Sequence, residues 1–257
     1  LQPIPKQSIN ILLSTTSINC LVKIFLKFRE AFAGQISSFE IINLMAVTIS
    51  LEEYPNNFFP LNKEASWYSL ITIDYYNNLT NNSQDLEKLL NDLKKSNQIN
   101  EFYTETNTKH LWAFRDAISN AQSKRGVSIK HDIAIPLSVT ENFIEHAVKK
   151  VSELTTIAVP VIFGHMGDQS LHFNFATKNK NIEENKHLLK IKPQITNLIT
   201  SLAMVYKGNF SAEHGIGLLH QDSLQKYYFN NQYYMIKLLK QSLDPNNILN
   251  PNKIIKI

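Results

Sequence analysis

Apolar residues recur every three or four positions along several stretches of the chain, which is the spacing of an amphipathic helix. Five such stretches are 17–34, 83–95, 111–121, 140–154 and 193–208. Ser17, Ser83 and Thr140 are residue types that cap the start of a helix. Pro193 suits a first helical turn and Gly208 suits the position past a helix end. The pattern predicts a helix in each stretch.

A two-residue alternation of apolar and polar positions marks the strands. It is strict over 127–135, where isoleucines and His131 share one face and Lys130 and Asp132 share the other. Further strands are predicted at 67–75, 157–163 and 171–175, the last two forming a hairpin. Because no glycine-rich phosphate loop follows a strand, we expect an α+β fold with an antiparallel sheet and a helical, Tyr-rich C-terminal part.

The chain has 257 residues, 43% of them hydrophobic and 19% charged, which fits one folded unit over residues 1–257. A scattered net charge of +4 does not indicate nucleic-acid binding. We find no signal peptide and no apolar run long enough to span a membrane. Cys20 is the single cysteine, so a cytoplasmic setting is expected and any metal site must use His and carboxylates.

The segment GHMGDQSLHFNF, residues 164–175, concentrates residue types that carry chemistry. In the predicted strand His172 and Asn174 share one face, and two glycines let the preceding loop return His165 over that face. Two imidazoles could then share one zinc or manganese ion. Taken alone, the pair is also the pattern of a turn-capping histidine beside a hydrogen-bonded core histidine.

A third candidate ligand comes from SAEHGIG, residues 211–217. It places Glu213 and His214 side by side, with glycines on either side. If these two side chains are buried, each needs a hydrogen-bonding or charged partner. Glu213 as a metal ligand and His214 as a base would explain both. Arg115 and Lys130 are candidate cations, although each alone is more often a surface charge or a partner of a nearby carboxylate, here Asp116 or Asp132.

Six segments together resemble one family, the C-terminal domains of FAD-linked oxidases, which include D-2-hydroxyglutarate dehydrogenase, D-lactate dehydrogenase and the glycolate oxidase flavin subunit. The segments are SSFEIINL, LWAFRDAIS, SIKHDIAIPLS, GHMGDQSLHFNF, SAEHGIG and LDPNNILNPNKI, in the order and approximate spacing of the family. The resemblance covers nearly the whole chain and implies a ferredoxin-like antiparallel sheet covered by helices.

The resemblance also implies roles for individual residues. By this resemblance, His165, His172 and Glu213 bind a divalent metal. Arg115, Lys130 and Asn174 bind the substrate. His214 is the catalytic base, and Asn250 lies beside the flavin. The implied reaction oxidises a D-2-hydroxy acid to the 2-oxo acid by hydride transfer to FAD.

Two departures from the family bear on these expectations. Gln169 and Ser170 stand where the family usually has Gly-Asn, which alters the turn that carries His165, and Asn252 replaces a common glycine. No segment resembles the family's N-terminal FAD-binding domain, and the chain begins with Leu1. We therefore expect a part of an enzyme that is inactive without an FAD-binding partner domain or subunit.

Two alternatives stay open. A non-catalytic remnant or binding module would keep the fold without turnover, although retention of all three ligands and both cations argues against extensive decay. A metal-dependent hydrolase would use the same ligands to activate water and would need no flavin.

Overall fold

The computed structural model describes residues 3–76, 82–228 and 231–255. Within them, eight strands form one sheet in which every pairing is antiparallel. The strands are β1 (Gln7–Thr15), β2 (Ile36–Asn43), β3 (Trp67–Tyr75), β4 (Glu101–Glu105), β5 (Ser128–Ile129), β6 (Asp132–Ala134), β7 (Ala158–His165) and β8 (Ser170–Thr177). Their order is β4-β1-β3-β2-β7-β8-β5, and β6 also pairs with β8.

The described helices cover both faces of this sheet, and the last two lie in the C-terminal part of the chain. They are α1 (Ile18–Ala31), α2 (Leu44–Glu53), α3 (Asn82–Lys95), α4 (Thr108–Arg125), α5 (Thr140–Leu154), α6 (Ile182–Val205), α7 (Gln221–Tyr227) and α8 (Asn231–Leu243). The strand order β4-β1-β3-β2, with α1 and α3 as crossovers, is the ferredoxin-like arrangement. The predicted α+β class and ferredoxin-like antiparallel sheet are confirmed.

Side chains alternate between the two faces of the sheet along each strand, so that an apolar core forms on each face. Ile11, Ile71 and Phe173 point to the face covered by α1, α3, α5 and α6. Tyr68 and Phe163 point to the opposite face, which α2 and α4 cover. Polar residues on strands β2, β7 and β8 share this second face, so they lie beneath α4.

The hairpin of β7 and β8 is confirmed, but the single predicted strand over 127–135 is wrong in its middle. It is split into β5 and β6 without a change of register, because Ile129 pairs with Phe175 and Asp132 with His172. At the break, the side chain of Asn174 accepts a hydrogen bond from the backbone N–H of His131. This side chain replaces a backbone carbonyl of the ladder.

The predicted helix start at Pro193 is also wrong, because Pro193 lies inside α6. The helix begins earlier, where the Asn181 side chain accepts hydrogen bonds from the backbone N–H groups of Glu183 and Glu184. Pro193 is exposed, and so is Leu189, whose carbonyl oxygen loses its helical partner and can be solvated instead. Burial of the apolar side chains on the inner face of α6 stabilises the helix by more than the proline destabilises it.

Three smaller expectations had different outcomes. Leu154, predicted to point inward, is 45% exposed at the end of α5. The side chain of Ser83, predicted to cap α3, lies outside the described residues. None of the described helices combines the length and apolar character needed to cross a membrane.

Candidate functional site

Three predicted ligands meet at the edge of the hairpin. His165 ends β7, His172 lies in β8, and Glu213 lies in the loop that follows α6. One ligand atom from each residue lies within 4.8 Å of the other two. The two imidazole rings are edge to face, with centroids 5.6 Å apart. Two imidazoles and one carboxylate form a donor set that suits a divalent ion such as zinc or manganese.

Asp132 fixes the loop that carries Glu213. Its Oδ2 atom accepts hydrogen bonds from the backbone N–H groups of Glu213, at 2.9 Å, and His214, at 3.0 Å. The same oxygen lies 3.6 Å from His214 Nδ1. Asp132 was considered in the sequence only as an ion-pair partner of Lys130, so its role in shaping the site is a finding of the structure.

The turn between the two histidines contains Gln169 and Ser170, the residues that depart from the family pattern. Gln169 adopts a left-handed backbone with φ of 68°. Ser170 donates its backbone N–H to Asp168 Oδ1, and its hydroxyl lies 2.8 Å from that oxygen and 3.1 Å from Glu213 Oε1. Ser170 therefore links the turn to the carboxylate of Glu213.

Arg115 extends from α4 to the metal-ligand cluster, which consists of the predicted ligands His165, His172 and Glu213. Its side chain is held by a residue that the sequence pattern did not identify. Glu40 of β2 is 1% exposed, and its carboxylate contacts both Arg115, at 2.7 Å, and His165, at 2.5 Å. The signal was present in the sequence, because Glu40 is the one charge inside the strand Ile36–Asn43. A buried charge in an apolar strand requires partners, and those partners belong to the site.

The histidines of the site have pKa values shifted in opposite directions. The hydrogen bond that His165 donates to Glu40 raises the pKa of His165. Burial lowers the pKa of His172 and also that of the nearby His220. The lowered pKa favours the neutral form of His172, which is the form of imidazole that can bind a metal.

A cavity of about 470 Å³ opens beside the metal-ligand cluster. Of the predicted site residues, those that border it are Lys130, His172, Asn174 and His214. Phe210 and Thr200 supply other parts of the wall. The whole lining includes one lysine, one asparagine, one aspartate and four histidines, and a few such polar groups in a cavity can orient a small ligand.

Asn174 and Lys130 differ in how freely they can reach a ligand. Lys130 is exposed at the break between β5 and β6. Asn174 is buried; its Oδ1 accepts from the His131 backbone and its Nδ2 donates to Gln122 Oε1. The second N–H of that amide remains available, because a primary amide carries two donors.

The structure does not bring Asn250 into contact with the three ligands. Asn250 is exposed in the turn after α8, in a left-handed conformation with φ of 46°. The residues after Asn250 contact the loop that carries Glu213 and His214, because Ile254 donates its backbone N–H to the carbonyl of Gly217 at 2.9 Å. Asn250 lies four residues before this contact.

The chain matches a family described as FAD linked oxidases, C-terminal domain, over residues 4–254. It is 26% identical to D-2-hydroxyglutarate–pyruvate transhydrogenase of Saccharomyces cerevisiae, covering 98% of this chain and 51% of that protein. It is 25% identical to a mitochondrial D-2-hydroxyglutarate dehydrogenase of Danio rerio, covering 95% of this chain and 44% of that protein. The chain spans about half the length of the curated relatives it matches.

Solved structures share the fold at low identity. A substrate-bound p-cresol methylhydroxylase superposes with a TM-score of 0.67 at 14% identity, covering 99% of this chain and 54% of that chain. A 4-ethylphenol oxidase from Gulosibacter chungangensis superposes with a TM-score of 0.65 at 15% identity, covering 99% of this chain and 55% of that chain. These likenesses show the fold alone.

Proposed function

This chain belongs to the family of FAD linked oxidase C-terminal domains, and from that premise we propose that it is the substrate- and metal-binding half of a dehydrogenase. The proposed reaction oxidises a D-2-hydroxy acid to the 2-oxo acid, with FAD as hydride acceptor. The observation that carries the proposal is the convergence of His165, His172 and Glu213 beside a cavity lined by polar and cationic groups. The names of the relatives, which act on D-2-hydroxyglutarate, support the substrate class.

His165, His172 and Glu213 would hold a divalent metal, zinc or manganese. Such an ion, when bound, polarises a hydroxyl oxygen and lowers the pKa of its proton. The three residues fit this role because their ligand atoms lie close together and none of them is fully buried. Ser170 and Asp132 support Glu213 through its carboxylate and its backbone.

His214 is the proposed base for the hydroxyl proton. Its side chain is 71% exposed at the cavity, and its Nδ1 atom faces Asp132 Oδ2 at 3.6 Å. A carboxylate on this side of the ring favours a proton on Nδ1, which leaves Nε2 as the proton acceptor. Asp132 would also stabilise the imidazolium that forms when the proton is taken.

Arg115 and Lys130 are proposed to fix the substrate carboxylate, with Asn174 as a further donor. Lys130 borders the cavity from the β5–β6 break. Glu40 contacts the Nε and NH2 atoms of Arg115. The NH1 atom lies 3.9 Å from the exposed Asp116, a long contact that a substrate carboxylate could replace. Holding the carboxylate at fixed points orients the α-carbon toward the hydride acceptor.

The FAD itself would be held mainly by a separate domain or subunit. None of the seven glycines of the chain lies between a strand and the helix that follows it, where a phosphate loop would form. Asn250, on the exposed turn after α8, is the proposed contact of this chain with the flavin. We infer that the chain is inactive until an FAD-binding partner is supplied. Some relatives are named as mitochondrial, so the cytoplasmic setting stays a prediction.

Metal content of the purified chain tests the proposal. We expect close to one divalent ion per chain by plasma mass spectrometry, and loss of that ion in His172→Ala. His187→Ala removes an exposed histidine of α6 and serves as the matched control, which should keep its metal. A folded wild-type chain that takes up neither zinc nor manganese would contradict the proposed site.

Activity separates the dehydrogenase from a hydrolase. With an FAD-binding partner supplied, the metal-loaded chain should reduce an artificial electron acceptor when given D-2-hydroxyglutarate or D-lactate. Hydrolysis of ester or amide substrates by the metal-loaded chain without flavin would favour the hydrolase instead.

A further inference from the structure

Glu40 lies at the centre of the second face of the sheet, beneath α4. It pairs across the strands with His165, so the two side chains point to the same face. At 1% exposure its carboxylate is removed from water, and a buried carboxylate is stable only when its oxygens are hydrogen-bonded or ion-paired. Each of its oxygens has a different partner.

One oxygen belongs to Arg115. Glu40 Oε2 accepts from Arg115 Nε at 2.8 Å and lies 2.7 Å from NH2. The guanidinium also lies over the ring of Phe163, with its central carbon 5.5 Å from the ring centroid. These contacts hold one long and flexible side chain in a single orientation next to the metal-ligand cluster.

The other oxygen belongs to His165. Glu40 Oε1 lies 2.5 Å from Nδ1, so this nitrogen carries the proton and donates it to the carboxylate. In the neutral ring the lone pair is then on Nε2, which can accept a hydrogen bond from Arg115 NH2 at 3.4 Å. The same atom lies 3.3 Å from Glu213 Oε1. A carboxylate behind a ligating histidine fixes which ring nitrogen can bind a metal.

We propose that Glu40 is a positioning residue that sets the tautomer of His165 and the orientation of Arg115 through its two oxygens. The inference rests on the proposed function, because it assigns Glu40 to the same metal and carboxylate site. One buried carboxylate thereby couples the geometry of metal binding to the geometry of substrate binding. Glu40 itself contacts neither the metal nor the substrate.

Glu40→Gln is the informative variant, because glutamine has one acceptor oxygen and one amide donor. If the oxygen faces Arg115, the amide faces His165 Nδ1 and requires that nitrogen to be an acceptor. The proton then moves to Nε2 and blocks the atom that would bind the metal. Glu53→Gln is the matched control. Glu53 ends α2, its side chain is 8% exposed, and it is likewise ion-paired, with Lys180.

The first measurement is the affinity of each chain for zinc and for manganese, by competition with a chelator. We expect Glu40→Gln to bind about 10- to 100-fold more weakly than wild type, and Glu53→Gln to bind as wild type does. If wild type binds no metal, the proposed function fails. If wild type binds and Glu40→Gln binds equally well, only the inference about Glu40 is overturned.

The second measurement is the tautomer of His165, read from imidazole nitrogen and proton NMR of the metal-free chain above the raised pKa of this ring. We expect the proton on Nδ1 in wild type and a shift toward Nε2 in Glu40→Gln. A role limited to fold stability would leave the tautomer unchanged. Because the wild-type spectrum needs no variant, a wild-type ring protonated on Nε2 would refute the proposal even if Glu40→Gln failed to fold.

Discussion

His131 shows how burial of a single ring makes stability depend on pH. The side chain is 7% exposed, with Nδ1 2.7 Å from the carbonyl oxygen of Phe173 and Nε2 3.3 Å from Thr196 Oγ1. Desolvation by burial lowers its pKa from 6.5 to about 4. The folded protein therefore holds this ring neutral at pH values where the unfolded chain would protonate it.

The sign of the effect follows from proton binding. Between pH 6.5 and about 4 the unfolded chain binds more protons at this residue, so the free energy of unfolding falls as the pH falls through that window. The contribution is fully present above the window, and its loss amounts to about 3 kcal/mol. Urea denaturation at a series of pH values should show this slope in wild type and a shallower one in His131→Gln. Equal slopes in the two proteins would disprove the assignment to His131.

Gln169 carries backbone strain in the turn between the two histidines. Its φ of 68° is left-handed, a region that costs a residue with a Cβ about 1 kcal/mol and costs glycine little. Gln169→Gly should raise the free energy of unfolding by up to about 1 kcal/mol, and Gln169→Asn by less. Chemical denaturation measures both. A destabilised glycine variant would mean that the Gln169 side chain contributes more than its backbone costs.

Among the elements, the β7–β8 hairpin is where sequence reasoning succeeded, because alternation and glycine placement are local properties. His172 and Asn174 were placed correctly on one face for that reason. The break between β5 and β6 could not be predicted, since it depends on the Asn174 side chain taking the hydrogen bond of a distant backbone group. Glu40 was missed for a similar reason: its partners Arg115 and His165 come from α4 and β7.

Gly164 makes the hairpin possible by letting its two strands approach closely. A Cβ built at this position would lie 2.4 Å from the carbonyl oxygen of Ser170 and 2.9 Å from Cα of Leu171. Both are backbone atoms of β8 and cannot move without breaking the pairing. Gly164→Ala should therefore lower the free energy of unfolding by about 1–3 kcal/mol.

Gly167 provides the control within the same turn. A Cβ at Gly167 meets nothing within 4 Å, so Gly167→Ala should change stability little. Thermal unfolding of both variants makes the comparison. Because His165 follows Gly164 directly, Gly164→Ala should also weaken metal binding. Equal stability of the two alanine variants would show that the hairpin can separate at no cost.

At the scale of the whole molecule, large apolar side chains are exposed together near the C-terminal part of the chain. The exposed set is Leu218, Leu219, Tyr234, Met235, Leu238, Leu239, Leu243, Ile248, Leu249 and Ile254. Leu218 and Leu219 also border the cavity, and Ile254 is hydrogen-bonded to Gly217. Four of them, Leu239, Leu243, Leu249 and Ile254, line one cavity, and grouped apolar surface of this kind can mark an interaction site. We predict that this surface contacts the FAD-binding partner that the proposed function requires.

Replacing Leu239 and Leu243 together by lysine tests this assignment. The two side chains are 55% and 77% exposed on α8, so the double variant should unfold at the wild-type temperature. In sedimentation velocity it should show less concentration-dependent association than wild type, and it should bind an FAD-binding partner more weakly. Leu26 and Leu189 are 51% and 54% exposed on α1 and α6, and their double lysine variant is the matched control. If both double variants behave alike, apolar exposure in general causes the association, and the surface around α8 has no special role. A difference confined to the α8 variant would support the prediction that this surface contacts the FAD-binding partner.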